Sequence, residues 1–324
     1  MKFAIRPANV PQDYAPMAAV LVAENPGWAA TAEELAYEDT ARDPRYHHAA
    51  LVAEAIDDDP PLMIGVAFTD LDKLALGQGR YELNIRVHPD WQGRGVGKAL
   101  YEAAMAHLAA LAPREITAMV WQAHPRAARF LTDRGYVEAW QRVDSSLELA
   151  HFDWTPYAGL EERVAALGIN IKTYAQLAED ADRMTKLYEL DAALWQDIPY
   201  GQPVIPRTLE QFAAAEVNHP EYLPDACFIA LKDSEFIGYS NLLGGDEGYN
   251  TDMTGVLRPY RGKGVATLLK LRGIRYAQER GKPKLWAVND SVNTAMLSLN
   301  KKLGFVREGA NIRYRKVIVT SAED

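Results

Sequence analysis

Cysteine is nearly missing from this chain. Cys227 is the single one in 324 residues, which excludes an intrachain disulfide and a cysteine-rich zinc site. No apolar run approaches the ~18 residues of a membrane span, and the stretch Met1–Pro7 lacks the apolar core of a secretion signal. Positive charge is in deficit too. Lys and Arg number 35 against 44 Asp and Glu, a net charge of −9, which argues against general nucleic-acid binding because neutralising phosphates needs clustered cations. His47 and His48 lack the paired spacing of metal ligands, so no metal is expected. These absences describe a cytoplasmic protein without membrane or nucleic-acid partners. What is present is ordinary folded composition, 48% hydrophobic, 10% aromatic and 24% charged. The length is about twice the ~150-residue domain prior, so two domains are expected.

The chain repeats itself at a fixed offset of 169 residues. Gln92-Gly93-Arg94-Gly95-Val96-Gly97 lies over Arg261-Gly262-Lys263-Gly264-Val265-Ala266, Val87 over Val256, Leu100 over Leu269, and Gly135-Tyr136-Val137 over Gly304-Phe305-Val306. No gap is needed between those landmarks, so two copies of one domain are expected. Each copy opens with a strand (Phe3–Arg6; Ile169–Thr173) leading into helical stretches. Two apolar runs joined by a turn follow: Ala49–Ala55 and Met63–Phe68 in the first copy, Cys227–Leu231 and Phe236–Leu243 in the second. A further strand (Tyr81–Val87; Tyr249–Leu257) runs into the glycine-rich stretch. An amphipathic helix follows, carrying Leu100, Ala104, Leu108 and Leu111 in the first copy and stopping at Gly281-Lys282-Pro283 in the second. The expected class is α/β, a mixed sheet in each half. The boundaries read as 1–151, a linker helix at 152–168, and 169–324.

Strand, glycine-rich loop and helix in that order place unpaired N–H groups at a positive helix end, where phosphate binds. One such turn is often plain punctuation; two in register are not. A dinucleotide fingerprint fails because Lys98 and Thr267 stand where its third glycine belongs, and a triphosphate loop fails because Gln92 stands where its first glycine belongs.

The pattern that remains, [Q/R]-x-x-G-x-[G/A], resembles the pyrophosphate loop of the GNAT superfamily of acyl-CoA-dependent acetyltransferases. The second copy also resembles the family's downstream motif through Asn289, Asn293, Met296, Asn300 and Leu303-Gly304-Phe305. The whole chain thus resembles a tandem GNAT protein. That resemblance implies acetyl-CoA as co-substrate, its pantetheine arm lying along a splayed strand at Ile85-Arg86-Val87 and Thr254-Gly255-Val256. It also implies a pyrophosphate held by the amides of Gly93–Lys98 (Gly93, Arg94, Gly95, Val96, Gly97, Lys98) after Gln92, and of Gly262–Thr267 (Gly262, Lys263, Gly264, Val265, Ala266, Thr267) after Arg261. Asn293 and Asn300 match positions that contact the cofactor in relatives; for Asn293 a helix N-cap is an equal alternative.

At the offset, Asn289, Asn293, Met296 and Asn300 become Val120, His124, Ala127 and Leu131, and strand residues Asp252, Thr254 and Val256 become Leu83, Ile85 and Val87. If strand alternation holds, only the second copy carries polar groups on that face, which locates catalysis there and leaves the first copy degenerate. A bulge between Asp252 and Val256 would break that parity. Acetyl transfer to an amine needs a base: Asp252 is the first candidate and Glu247 the second. A strand N–H near Val256 would hold the oxyanion. Many relatives supply a tyrosine acid where Asn300 stands here, so a proton for the leaving thiolate, which does not strictly require one at neutral pH, would come from water or from another tyrosine such as Tyr249 or Tyr260. Trp195, Tyr200 and Trp286 are candidates for an acceptor pocket or for core, and Cys227 for packing. The expected activity is N-acetylation of a small amine. A narrower variant resembles mycothiol synthase, another tandem GNAT, which acetylates a cysteinyl amine, and the rival class is a non-catalytic acyl-CoA-binding or sensing module. A monomer, as an internal pseudo-dimer, or a homodimer is expected.

Overall fold

The computed structural model describes residues 2–24, 30–57, 60–72, 78–198, 207–244 and 248–318. In chain order its elements are β1 (Phe3–Pro7), α1 (Tyr14–Glu24), α2 (Ala32–Ala41), β2 (Ala49–Ala55), β3 (Leu62–Leu71), β4 (Arg80–Val87), α3 (Val96–Ala109), β5 (Glu115–Trp121), α4 (Pro125–Thr132) and β6 (Val137–Glu148). There follow α5 (Leu160–Ala165), β7 (Ile169–Thr173), α6 (Arg183–Trp195), α7 (Leu209–Phe212), β8 (Tyr222–Lys232), β9 (Glu235–Leu243), β10 (Gly248–Val256), α8 (Val265–Glu279), β11 (Lys284–Asp290), α9 (Thr294–Lys302) and β12 (Val306–Val317). Elements recur in the same order in both copies.

Two compact units result: Met1–Ala139 with Ile312–Asp324, and Trp140–Asn311. The first sheet runs β1-β2-β3-β4-β5 and is completed by the latter part of β12. Ile318 N–H donates to Arg114 C=O at 2.8 Å, the Arg313 guanidinium pairs with Glu82 at 2.8 Å, and Tyr314 joins the unit's core. The second sheet runs β6-β11-β10-β9-β8-β7. Its β11 pairs antiparallel with β6 from Lys284↔Glu148 to Asp290↔Arg142. The final strand of each copy therefore does not stay with its own sequence neighbours: Trp140–Glu148 lies in the second unit, and 312–318 lies in the first.

In each unit one strand pair is parallel, β4 with β5 and β10 with β11, joined by the long helix α3 or α8. Those helices form because apolar residues recur on one face; Leu100 and Leu269, one offset apart, are both fully buried, each worth roughly 1.5–3 kcal/mol. Helix α8 stops as its sequence demands. Gly281 N–H donates to Gln278 C=O and Lys282 N–H to Ala277 C=O, both at 3.0 Å, the paired bonds of a Schellman cap. The 152–168 stretch packs into the second unit: Leu160 and Val164 of α5 join the core around Val265, Leu268 and Leu269, and Phe152 sits against Trp154 and Tyr157.

Candidate active site

The parallel pairs part company midway. The β10–β11 register ends at Thr251↔Ala287, although β10 continues to Val256 and β11 to Asp290. The β4–β5 register ends at Leu83↔Ala118 while those strands run to Val87 and Trp121. Beyond these points the inner edges of β10 and β4 have lost their partners. Leu257 N–H donates to Ile237 C=O at 2.8 Å and His88 N–H to Ile64 C=O at 3.0 Å. By antiparallel alternation, Thr254 and Val256, like Ile85 and Val87, then turn their N–H and C=O away from β9 or β3 and into the gap. Gly255 points its main chain the other way, to Tyr239, and a side chain there would meet Leu194 Cδ1 of α6 at 2.7 Å.

The loops at the head of the gap are built alike. Gly264 and Gly95 are the N-caps of α8 and α3, both left-handed, at φ +84° and +88°, and neither offers a side-chain cap. The first closing bonds, Leu268 N–H to Gly264 C=O at 2.9 Å and Ala99 N–H to Gly95 C=O at 3.0 Å, leave the earlier first-turn amides unpaired within the helix. Val265 and Val96 bury their side chains in the cores, so only their main chain is available to a ligand. Arg261 Nε donates to Val256 C=O at 2.8 Å, and Gln92 Nε2 to Val87 C=O at 3.2 Å. The side chain at the first loop position thus braces loop to strand in both copies. Arg261 and Arg258 both pair with Asp197, beyond the end of α6. Among the other loop cations, Lys263 lies over the Tyr260 ring at 5.5 Å, Arg94 over Trp91 at 5.3 Å, and Lys98 faces Glu102 at 3.7 Å.

Strand parity in β10 is broken by a bulge. Thr251 pairs with Leu242 and Thr254 with Ser240, so β10 spends one residue more than β9 over that step. Asn241 sits opposite: its Nδ2 donates to Asp252 Oδ2 at 3.0 Å, and its Oδ1 accepts from Met253 N–H at 2.9 Å. As a result Asp252, Met253 and Thr254 all line the same cavity, whereas Val256 buries its side chain in the core. The expected single polar face of Asp252, Thr254 and Val256 is therefore not what forms. Glu247 and Tyr200 lie outside the described residues.

That cavity, of about 310 Å³ and wholly within the second unit, gathers groups far apart in the chain. From α6 come Asp191 and Trp195, from the wide turn 213–217 comes Glu216, and from β9 comes Tyr239. Lys270, Asn289, Asn293 and Met296 close its other walls. Asp191 is 4% exposed, accepts from Tyr239 O–H at 2.6 Å and pairs with Arg207 at 3.1 Å. Arg207 also holds Glu216 at 2.7 Å. Burial raises the pKa of Asp191, and burial together with the Asp252 charge pushes Glu216 up to about 7. Two carboxylates, Asp191 and Glu216, thus share the Arg207 guanidinium, while Asp252 is held by Asn241. Asn293 is an N-cap, its Oδ1 accepting from Met296 N–H at 3.2 Å. Asn300 is 2% exposed and donates to Asn289 Oδ1 at 2.6 Å, while its own Oδ1 has no partner. Trp286, Tyr249 and Tyr260 do not line the cavity. Cys227 is fully buried and its thiol pushed up to about 12, so it packs. Among the described residues no group of three or more His, Cys, Asp or Glu could hold a metal, and no helix is long and apolar enough to cross a membrane.

Sequence reasoning missed Asp191, Glu216, Tyr239 and Lys270. Two of them had left a trace: Asp191 interrupts the apolar face of Leu187, Leu190 and Leu194, and Lys270 sits inside Leu268-Leu269-Lys270-Leu271.

A parallel pair splayed beside a glycine-capped helix start is the architecture of the acyl-CoA-dependent acyltransferases. The model of the acetyltransferase (GNAT) family matches residues 161–305, and that of an acetyltransferase (GNAT) domain matches 48–138. The chain belongs to the GNAT family, with two of its domains in tandem, and is an acetyl-CoA-dependent N-acetyltransferase. Among curated proteins it is similar to mycothiol acetyltransferases, 22% identical to one from Nocardioides sp. over 72% of this chain and 80% of that protein. It is 26% identical to one from Streptomyces avermitilis over 71% and 69%. Among solved structures it resembles a tandem GNAT protein from the clavulanic acid biosynthesis pathway, with TM-score 0.73, 17% identity and coverage of 99% and 100% of the two chains. It also resembles a GCN5-related N-acetyltransferase from Sphaerobacter thermophilus, with TM-score 0.68, 19% identity and 99% and 97% coverage.

Proposed function

We propose that the second unit transfers the acetyl group of acetyl-CoA to the primary amine of a small molecule, and that the first unit is catalytically degenerate. The observation that carries this reading is the carboxylate-lined cavity opening on the unpaired edge of β10. The co-substrate fits the residues present: uncapped amides at Gly262–Thr267 suit a pyrophosphate, and the gap-facing main chain of Thr254 suits an amide-bearing arm, the Val256 C=O being held by Arg261. Asn300, buried behind the cavity wall, holds the wall residue Asn289 in place.

An incoming amine arrives as an ammonium ion, drawn by Asp191, Glu216 and Asp252. Asp252 is exposed to the cavity and held by Asn241, and it takes the proton that frees the nitrogen lone pair. The nitrogen attacks the thioester carbonyl, whose developing oxyanion is met by a gap-facing N–H of β10, that of Val256 first. In the first unit the matching strand positions, Leu83, Ile85 and Val87, offer no base. Its Arg86 is engaged instead with Glu24 at 3.1 Å.

The similarity to mycothiol acetyltransferases supports a second reading, in which the acceptor is a cysteinyl amine. We place the enzyme in the cytoplasm, on its single, buried cysteine. The test is thiol release from acetyl-CoA with ethanolamine, putrescine, glucosamine and a cysteinyl glucosamine as acceptors. Turnover of at least one is expected, and Asp252→Asn should lower kcat about a hundredfold or more with acetyl-CoA affinity nearly unchanged. Tight acetyl-CoA binding with no release from any of the four would sink the small-amine reading in favour of an acyl-CoA sensor.

A further inference from the structure

Resting on that reading, we propose that Lys270 is the group that gives its proton to the departing coenzyme A sulfur. Lys270 is on the second turn of α8, the helix that begins at the glycine loop, and its side chain lines the cavity. It is 4% exposed, yet among the described residues no hydrogen bond or ion pair is seen to act on it, burial alone shifting its pKa. Its ammonium lies over the face of the Phe305 ring, 5.3 Å from the ring centre. A buried lysine is normally paired, because stripping water from an ammonium costs several kcal/mol. An unpaired one opening on a reaction cavity is free to exchange its proton with a group that enters the cavity.

Elimination points the same way. Of the side chains lining the cavity, Tyr239 already donates its proton to Asp191, Arg142 stands 3.8 Å from Asp290, and guanidinium does not release a proton at neutral pH. The asparagines cannot act as acids. Lys270 remains. Burial lowers its pKa to about 7, so the ammonium both forms and gives up its proton near neutrality.

The step balances. A bond forms between acceptor nitrogen and acyl carbon, and the carbon–sulfur bond breaks with its electron pair moving to sulfur. The Lys270 ammonium proton goes to that sulfur, leaving coenzyme A as the thiol and Lys270 as a neutral amine. Over the cycle the acceptor ammonium loses two protons: one reaches solvent through Asp252, and the other, shed after attack, restores Lys270.

The experiment compares two donors, acetyl-CoA and acetyl-seleno-CoA, with the acceptor from the panel that turns over fastest. A selenolate leaves unprotonated at neutral pH. Lys270→Met should lower kcat with acetyl-CoA about a hundredfold, keep KM for acetyl-CoA within threefold, and lose less than threefold with the selenoester. Equal losses on the two donors, a wild-type rate, or a rise in KM alone would overturn the assignment, the last by making Lys270 a binding residue. Lys270→Gln supplies the same comparison should the methionine variant fail to fold. No release by the unaltered protein from any amine is a failure of the acetyltransfer reading itself, which is distinct from an active parent with an indifferent Lys270 variant.

Discussion

Gly262 and Gly264 hold φ of +74° and +84°, a region that costs an L-residue roughly 1–2 kcal/mol. Their surroundings differ. A Cβ on Gly262 would meet nothing within 4 Å, whereas one on Gly264 would meet Leu160 Cδ1 at 2.7 Å. Gly262→Ala should therefore lower unfolding stability by about 1 kcal/mol, and Gly264→Ala by up to about 1 kcal/mol more, since only the tip of the Leu160 side chain has to shift. Urea denaturation of the two variants checks this; equal losses would mean that α5 gives way without cost. At the same scale, chemistry was only half visible beforehand. Asp252 stood out as a carboxylate on the strand before the glycine loop. Asp191 and Lys270 hid inside apolar helical faces, because a charge among leucines looks like a lapse of pattern until a cavity is seen beneath it.

At the scale of elements, the glycine loop works because it is tied to the strand before it. Arg261 donates to Val256 C=O and also meets Asp197, which holds Arg258 too. The ion pairs are largely exposed on the arginine side, so they add little to stability. The carbonyl brace recurs as Gln92 on Val87, and glutamine carries no charge. Arg261→Ala should raise KM for acetyl-CoA about tenfold (~1.4 kcal/mol) with kcat little changed. Arg261→Gln, which can still reach the carbonyl, should recover most of that loss in steady-state kinetics. If the glutamine variant is as weak as the alanine variant, charge and not the brace is what the loop needs. The 169-residue repeat announced this element pair, since strand, loop and helix are encoded within a dozen residues. The bulge at Asp252–Met253 stood in the sequence only as a condition on the parity of that strand, because it depends on Asn241 of β9 filling the space opposite.

At the scale of the whole molecule, the two units are not consecutive stretches of chain. The first is closed by residues that follow the second, and the second begins with Trp140–Glu148. A chain cut after Asn311 should keep the second unit's sheet and lose the strand beside β5. Limited proteolysis of that truncation is expected to cleave first within 2–139 and to leave 140–311 resistant, and its thermal unfolding should split into two transitions. Equal resistance of both parts would contradict the exchange. The sequence boundaries at 151 and 169 could not reveal it: a final strand with the same pattern satisfies either sheet, and which edge it joins is decided by pairing.

By itself, the sequence determined the duplication, the order of elements in each copy, the glycine-capped helix starts and the helix stop at Gly281. Each of these is written in residues close together, where backbone conformation and periodic burial are local properties. Only the tertiary structure decided the rest: the exchange of end strands, the bulge that turns Asp252, Met253 and Thr254 toward one cavity, and the convergence there of Asp191, Glu216, Tyr239 and Lys270. Those groups come from stretches tens of residues apart, and loss of water around each, which sets its protonation, exists only once the chain has folded about them.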